Sequence, residues 1–204
     1  MSTWNDWHTN GRTFKDLIHP SGVDEQEYNQ SGEASAKHIL ERCKFNKKHK
    51  VLEYGCGNGR ILRHLQDYNV YGCDLVDLFV KDGTQLGVKK LYKLDKLKRN
   101  NFFDIVFSYT VFIHLNDEDT EKALKYIYQK LKSGGLAYLQ IPIYDEQTDH
   151  DGHFISVRSW KKEKLFSLVE KIGFKIIDYK KNPGLFSFDK IGENHEYLHC
   201  FEKS

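Results

Sequence analysis

At 204 residues the chain has room for one domain with a sizeable core and is too short for two full enzyme domains. Hydrophobic residues make up 39% and charged residues 29%, with three prolines, a balance that excludes a disordered or low-complexity chain. Lys and Arg number 31 against 29 Asp and Glu, and the resulting net charge of +2 gives no strong field for gathering nucleic acid.

Along the chain, Met1 to about Gln30 carries Trp4, Trp7, Phe14, Leu17, Ile18 and Tyr28 without sustained periodicity and reads as an irregular arm. Its first residues, Met1 to Asp16, are polar and aromatic, unlike an export leader, and no run of 18 apolar residues follows anywhere. A soluble, cytoplasmic protein without a membrane partner is the expectation. From Gly32 to Lys44, Ala36, Ile39, Leu40 and Cys43 recur at helical spacing, with Ser31 in the N-cap place. Lys50 to Tyr54 predicts a strand, Gly55 to Gly59 a glycine loop, and Ile61, Leu62 and Leu65 a helix after it. Val70 to Cys73 predicts a second strand ending at Asp74, and Lys89 to Leu94 a third whose lysines mark an edge. Phe103 to Ser108 is an apolar run suited to a strand covered on both faces.

Leu124, Ile127, Tyr128 and Leu131 form one stripe of a helix over Asp117 to Lys132, stopped by Ser133-Gly134-Gly135. A strand from Leu136 to Ile141 is closed by Pro142, and a polar loop from Ile143 to Val157 leads to a helix near Ser159 to Ile172, ended by Gly173. Lys175 to Tyr179 and Glu196 to Phe201 are the last strands, joined by a loop containing Pro183-Gly184. Strands alternating with helices predict an α/β, Rossmann-like three-layer sandwich with a mostly parallel sheet. The closing pair implies that one strand runs antiparallel. The whole chain reads as a single domain, an arm and helix over residues 1–49 and a core over 50–204.

One segment carries the chemistry. In Val51-Leu52-Glu53-Tyr54-Gly55-Cys56-Gly57-Asn58-Gly59-Arg60 a strand, an acid and three alternating glycines precede a helical pattern. Glycines let the backbone turn sharply and approach a bulky ligand with no Cβ in the way. Asp74, 21 positions after Glu53 at the end of the next strand, is placed to accept both hydroxyls of a ribose. A nucleoside is the expected ligand. A G-x-G-x-x-G fingerprint is absent, because Arg60 stands where its third glycine would be, and no Gly-Lys-Ser/Thr of a P-loop follows. A tight structural turn is the competing reading of the glycines.

The acid-x-Gly-x-Gly-x-Gly pattern resembles the signature of class I S-adenosylmethionine-dependent methyltransferases, and the resemblance runs from about Tyr28 to Ser204. It implies that Glu53, Gly55, Cys56, Gly57, Asn58 and Gly59 face the methionine end of the donor, with Asp74 on the ribose and Leu75 against the adenine. Leu94, Asp95 and Lys96 fall where the family holds the adenine edge, though Asp95 and Lys96 also read as plain surface charges. Phe103 to Val106, followed by Ser108 to Leu115, is similar to the fourth-strand motif of small-molecule and glycan-type members, which adds Ser108 and Tyr109 to the cofactor set. Tyr28 and Ser31, at the start of the resemblance, complete it. Leu131-Lys132-Ser133-Gly134-Gly135-Leu136 is similar to the family's Leu-x-Pro-Gly-Gly turn, with Ser133 replacing the proline, and Gly173-Phe174 also fits. The implied sheet has seven strands with the seventh antiparallel, S-adenosylmethionine as cofactor and S-adenosylhomocysteine as product.

In-line methyl transfer depends on holding the acceptor against the methyl, and a hydroxyl acceptor also needs a base. His114, after the fourth strand, is the candidate base, since imidazole titrates near neutral pH; its alternative is to bond backbone at the coming helix start. Tyr109 orients the acceptor or is a packed aromatic. The loop Asp145 to His153 sits where acceptor contacts are expected, and His153, with His150, is a candidate to line that pocket. Asp149, His150, Asp151 and His153 read as solvated rather than metal-binding, and Cys43, Cys56, Cys73 and Cys200 lack zinc-like spacing, so no metal is expected. Trp4, Trp7 and Tyr28 could form a lid over the cofactor. No Pro-Pro follows Ser108 and no Pro-Cys nucleophile occurs, which disfavours nucleic-acid bases as acceptors. The reading is a methyltransferase acting on an oxygen or nitrogen of a small molecule, a metabolite or sugar-like compound, with the oligomeric state open. The alternatives are an RNA or protein methyltransferase, or a non-catalytic protein that binds S-adenosylmethionine.

Overall fold

The computed structural model describes residues 24–144, 149–150, 157–179 and 198–204. Trp4 and Trp7 of the arm, Asp151 and His153 of the polar loop, and Pro183-Gly184 lie outside the described residues.

Helix α1, Glu25–Cys43, opens on a capping box: Asp24 accepts the Glu27 N–H at 2.8 Å, and the Glu27 carboxylate accepts the Asp24 N–H at 3.1 Å. The arm therefore ends earlier than its composition suggests, and Ser31 is no N-cap but a buried interior residue whose Oγ donates to Tyr28 O at 2.8 Å. The first turns bury Tyr28, Ser31, Gly32 and Ser35, a face of small and polar residues, so hydrophobic periodicity is silent there.

Seven strands form the sheet: β1 Val51–Tyr54, β2 Val70–Asp74, β3 Leu91–Lys93, β4 Phe103–Ser108, β5 Leu131–Gln140, β6 Phe174–Asp178 and β7 Leu198–Lys203. Their spatial order is β6-β7-β5-β4-β1-β2-β3. β1 pairs in parallel with β2 and β4, β4 with β5, and β2 with β3, while β7 lies antiparallel between β5 and β6. The order reverses between β1 and β4. Open α/β sheets form their binding crevice at such a switch point, beyond the carboxyl ends of the strands.

Alternation along the strands divides the core. Val51, Ile105, Phe107 and Tyr138 pack with Ile39 of α1 on one face. On the other face Leu52, Val106, Ala137 and Leu139 pack with Leu124 and Ile127 of α3 (Asp117–Lys130) and Leu165 and Val169 of α4 (Lys162–Ile172). Helix α2, Asp77–Gln85, follows β2 and escaped the sequence reading.

Two expected boundaries move. After the glycine loop there is only a three-residue 3-10 turn, Leu62–His64, because the apolar stripe ends at Leu65 and Gln66 to Asn69 offer turn formers rather than another helical face. Helix α3 ends at Lys130, since Leu131 is already extended and pairs with Phe103. Gly134, at φ +73, then serves a register irregularity inside β5 rather than a helix cap. Gly173 does end α4, in the left-handed conformation at φ 112. A small ribbon pairs Asp149–His150 with Val157–Arg158 and packs beside the 3-10 turn Phe112–His114 that follows β4.

Candidate functional site

The glycine loop is shaped by backbone that other residues would strain. Gly55, Gly57 and Gly59 sit at φ +73, +54 and +78, and a Cβ on Gly55 would lie 2.3 Å from Val111 Cγ2. The Gly55 and Cys56 N–H groups both donate to Cys73 O, at 2.8 and 3.1 Å, which locks the loop to the end of β2. Asp74 strengthens this tie: its Oδ2 accepts the Gly57 N–H at 2.8 Å and its Oδ1 the Val76 N–H at 2.9 Å. A carboxylate accepts about four hydrogen bonds, so acceptor capacity remains for a diol. Burial raises the Asp74 pKa above its ordinary value, against the two N–H donors, which lower it.

Asn58 bridges three elements. It accepts the buried Tyr28 hydroxyl from α1 and donates to Asp82 Oδ2 of α2 at 2.8 Å. The Arg63 guanidinium lies 5.2 Å from the Tyr28 ring centroid, and burial pushes the Tyr28 phenol up to about 12. Cys56 turns inward into the α1-side core, where burial raises its thiol.

A buried acid and a half-buried guanidinium stand behind the loop. Glu53, on the α1 face of β1, is 3% exposed and its Oε2 has no hydrogen-bond partner; burial drives its pKa well upward, with Asp74 adding to the rise and Arg60 opposing it. Arg60 donates from Nη1 to Ser31 Oγ at 3.1 Å and Ser35 Oγ at 3.4 Å, both neutral. Among the described residues no carboxylate comes within ion-pair distance of it, and burial lowers its pKa. A buried acid short of a hydrogen-bond partner and a guanidinium short of an ion partner are both costly. Together they suit a zwitterion, with an ammonium toward Glu53 and a carboxylate toward Arg60.

At the end of β4, Ser108 Oγ donates to Tyr54 O at 2.9 Å. The Tyr109 hydroxyl bonds with Ser35 and Gln140, and burial pushes the phenol up to about 12. His114 is half-buried in the 3-10 turn, its backbone N–H on Val111 O at 3.0 Å. Leu75, just past Asp74, is 56% exposed, an apolar surface beside the carboxylate. Leu94 is half-buried with its carbonyl accepting the Tyr126 hydroxyl at 3.0 Å, whereas Asp95 is exposed between Lys93 and Lys96 at 4.0 and 3.5 Å.

The structure thus gathers Tyr28, Ser31, Glu53, Asn58, Asp74 and Tyr109 around the loop, and adds Arg60, Asp82, Thr110 and Gln140. Arg60 directly follows the last loop glycine, but nothing in one sequence says that it turns toward Ser31 and Ser35 of α1. Asp82 and Gln140 carry no local signal at all. Among the described residues no cluster of three or more His, Cys, Asp or Glu could hold a metal ion.

Residues 52–139 match a family model described as a methyltransferase domain. Phosphoethanolamine N-methyltransferase 1 of Triticum aestivum is 30% identical over 112 residues, covering 48% of this chain and 22% of that protein, so the chain spans about a fifth of this relative's length. Among solved structures, a TehB-like S-adenosylmethionine-dependent methyltransferase of Corynebacterium glutamicum is 19% identical, with TM-score 0.57 over 98% of this chain and 94% of that one. The 1,6-didemethyltoxoflavin-N1-methyltransferase of Burkholderia thailandensis, solved with 1,6-didemethyltoxoflavin and S-adenosylhomocysteine, is 15% identical, with TM-score 0.61 over 100% of this chain and 87% of that one. At such identities the structural likeness establishes the fold.

Proposed function

We propose that the chain, whose residues 52–139 match a methyltransferase domain, is a class I, Rossmann-like S-adenosylmethionine-dependent methyltransferase that methylates an oxygen or nitrogen of a small-molecule acceptor, a metabolite or sugar-like compound, in the cytoplasm. The observation that carries the reading is the buried Glu53, one carboxylate oxygen of which has no partner, with the half-buried Arg60 guanidinium held only by hydroxyls among the described residues, behind a loop of bare backbone. The residues present fit the donor. Glu53 faces an ammonium, Arg60 a carboxylate, Asp74 a ribose diol, and the exposed Leu75 an adenine face.

When bound, S-adenosylmethionine supplies a methyl already activated on a sulfonium. What the chain must add is position. Gly55 to Gly59 remove side chains from the approach, Asp74 and Asn58 hold the loop, and the turn after β4 faces the acceptor side. His114 is proposed to take the acceptor's proton, with Tyr109 orienting the acceptor. The wheat and Burkholderia proteins are both named for nitrogen acceptors, which supports an amine as one form of the substrate.

A second reading is a protein that binds the donor without methylating; the fold alone does not fix methyl transfer, since a [4+2]-cyclase, SpnF, shares it at TM-score 0.55 and 18% identity. Incubation with methyl-labelled donor and separate metabolite, RNA and protein pools distinguishes the readings. Label in the metabolite pool is expected. Label in RNA or protein, or none at all from a protein that binds S-adenosylhomocysteine, overturns the small-molecule assignment. His114→Ala should lower turnover about 100-fold or more with S-adenosylhomocysteine affinity intact; wild-type turnover would remove the base role.

A further inference from the structure

The chain leaves β4 through a strained turn. Four described residues other than glycine have positive φ, Lys44, Lys90, Asn101 and Thr110, and Thr110, at φ 57, alone is β-branched. A branched Cβ in the left-handed region crowds the flanking backbone, so the conformation persists only where its surroundings over-determine it. Here two hydrogen bonds do so: the Thr110 N–H donates to Gln140 Oε1 at 2.7 Å, and Thr110 Oγ1 donates to Tyr109 O at 2.7 Å. Gln140 ends β5, is itself buried, and also bonds with the Tyr109 hydroxyl.

The consequence appears one residue on. Val111 returns to the right-handed region, φ −99 and ψ −53, and its Cγ2 fills the space where Gly55 would carry a Cβ. A Thr110 relaxed into ordinary backbone would redirect Val111 and leave the first glycine of the loop without its backing.

We propose that Thr110 and Gln140 are positioning residues for donor binding: the left-handed turn at Thr110, clamped by the Gln140 amide, seats Val111 on Gly55 and holds the glycine loop in its receiving shape. The proposal rests on the methyltransferase reading above. Neither residue needs to touch the donor.

Calorimetric titration with S-adenosylhomocysteine, paired with thermal unfolding, tests it on the full chain and on Thr110→Gly, Thr110→Asn and Gln140→Met. Glycine removes the strain and frees the turn, so Thr110→Gly should unfold at the same or a higher temperature yet bind roughly tenfold more weakly, because the ligand must then order the loop. Asparagine tolerates the left-handed region and keeps the turn, so Thr110→Asn should retain most of the affinity. Gln140→Met keeps the volume without the acceptor and should weaken binding like Thr110→Gly. Wild-type affinity in Thr110→Gly, or affinities that merely track unfolding temperature across the three variants, overturns the proposal. A wild-type chain that does not bind S-adenosylhomocysteine overturns the donor-binding reading itself, and this proposal with it.

Discussion

Glu53 sits beneath the glycine loop with one carboxylate oxygen buried and unpartnered, and burial raises its pKa well above the carboxylate range. A carboxyl whose folded pKa is raised contributes stability that is complete below its unfolded pKa and is lost as pH rises through the folded value. The Glu53 contribution to the stability of the ligand-free chain should therefore decline as pH climbs above about 4 to 5, so that Glu53→Gln gains stability relative to the wild type over that range. Melting temperatures of both proteins across this range check it; parallel curves would remove Glu53 from the balance. Placing a ligand's ammonium at Glu53 favours the ionised carboxylate, so S-adenosylhomocysteine affinity should gain more from rising pH in the wild type than in Glu53→Gln. Asp74→Ala deletes the acceptor of two loop N–H groups and of the proposed diol. Charge-assisted bonds of this kind are worth about 1.5–3 kcal/mol, so affinity for S-adenosylhomocysteine should fall roughly 10- to 100-fold by calorimetry. Unchanged affinity would end the ribose assignment. Glu53, Asp74 and the glycines were visible in the sequence because their spacing along one strand-loop-strand unit has a mechanical reason. Arg60 and Gln140 were not, because a polar residue acquires a buried partner only from chain segments distant in sequence.

At the scale of elements, helix α1 shows why a boundary escaped. Its amino-terminal half packs Ser31, Gly32 and Ser35 against the loop: a Cβ on Gly32 would lie 2.6 Å from Arg60 O, so the helix approaches the site closely only because these residues are small. Close packing of small polar residues leaves no hydrophobic stripe to read. The start signal was present instead in Asp24 and Glu27, the reciprocal cap that satisfies two otherwise unpaired donors. Asp24→Ala should cost about 1 kcal/mol in urea unfolding, with a further loss of S-adenosylhomocysteine affinity if fraying reaches Tyr28 and its bond to Asn58. No change in either quantity would separate the cap from the site. Strand β4 behaved oppositely: its apolar run marked it correctly because a strand covered on both faces buries every residue but Asp104, near its start.

For the whole molecule, the switch between β1 and β4 brings together residues as distant in sequence as Tyr28, Glu53, Arg60, Asp74, Tyr109 and Gln140, and among the described residues it leaves a Glu53 carboxylate oxygen without a partner and Arg60 without an ion pair. A ligand that partners both groups should stabilise the fold. At about 100 times its dissociation constant, S-adenosylhomocysteine adds about 2.7 kcal/mol, which should raise the melting temperature by several degrees; an unmoved transition would contradict the site. Among the described residues no helix is long and apolar enough to cross a membrane.

By itself the sequence determined the α/β class, the glycine loop and the carboxylate at the end of the second strand, because strand and helix periods and the freedom of glycine act over a few neighbouring residues. Only the tertiary structure decided that Arg60 bonds to hydroxyls of α1, that Asn58 joins α1 to α2, and that Gln140 holds Thr110 in a strained turn against the loop. Those contacts follow from which strands lie side by side, and strand order is a property of the folded sheet that no local pattern encodes.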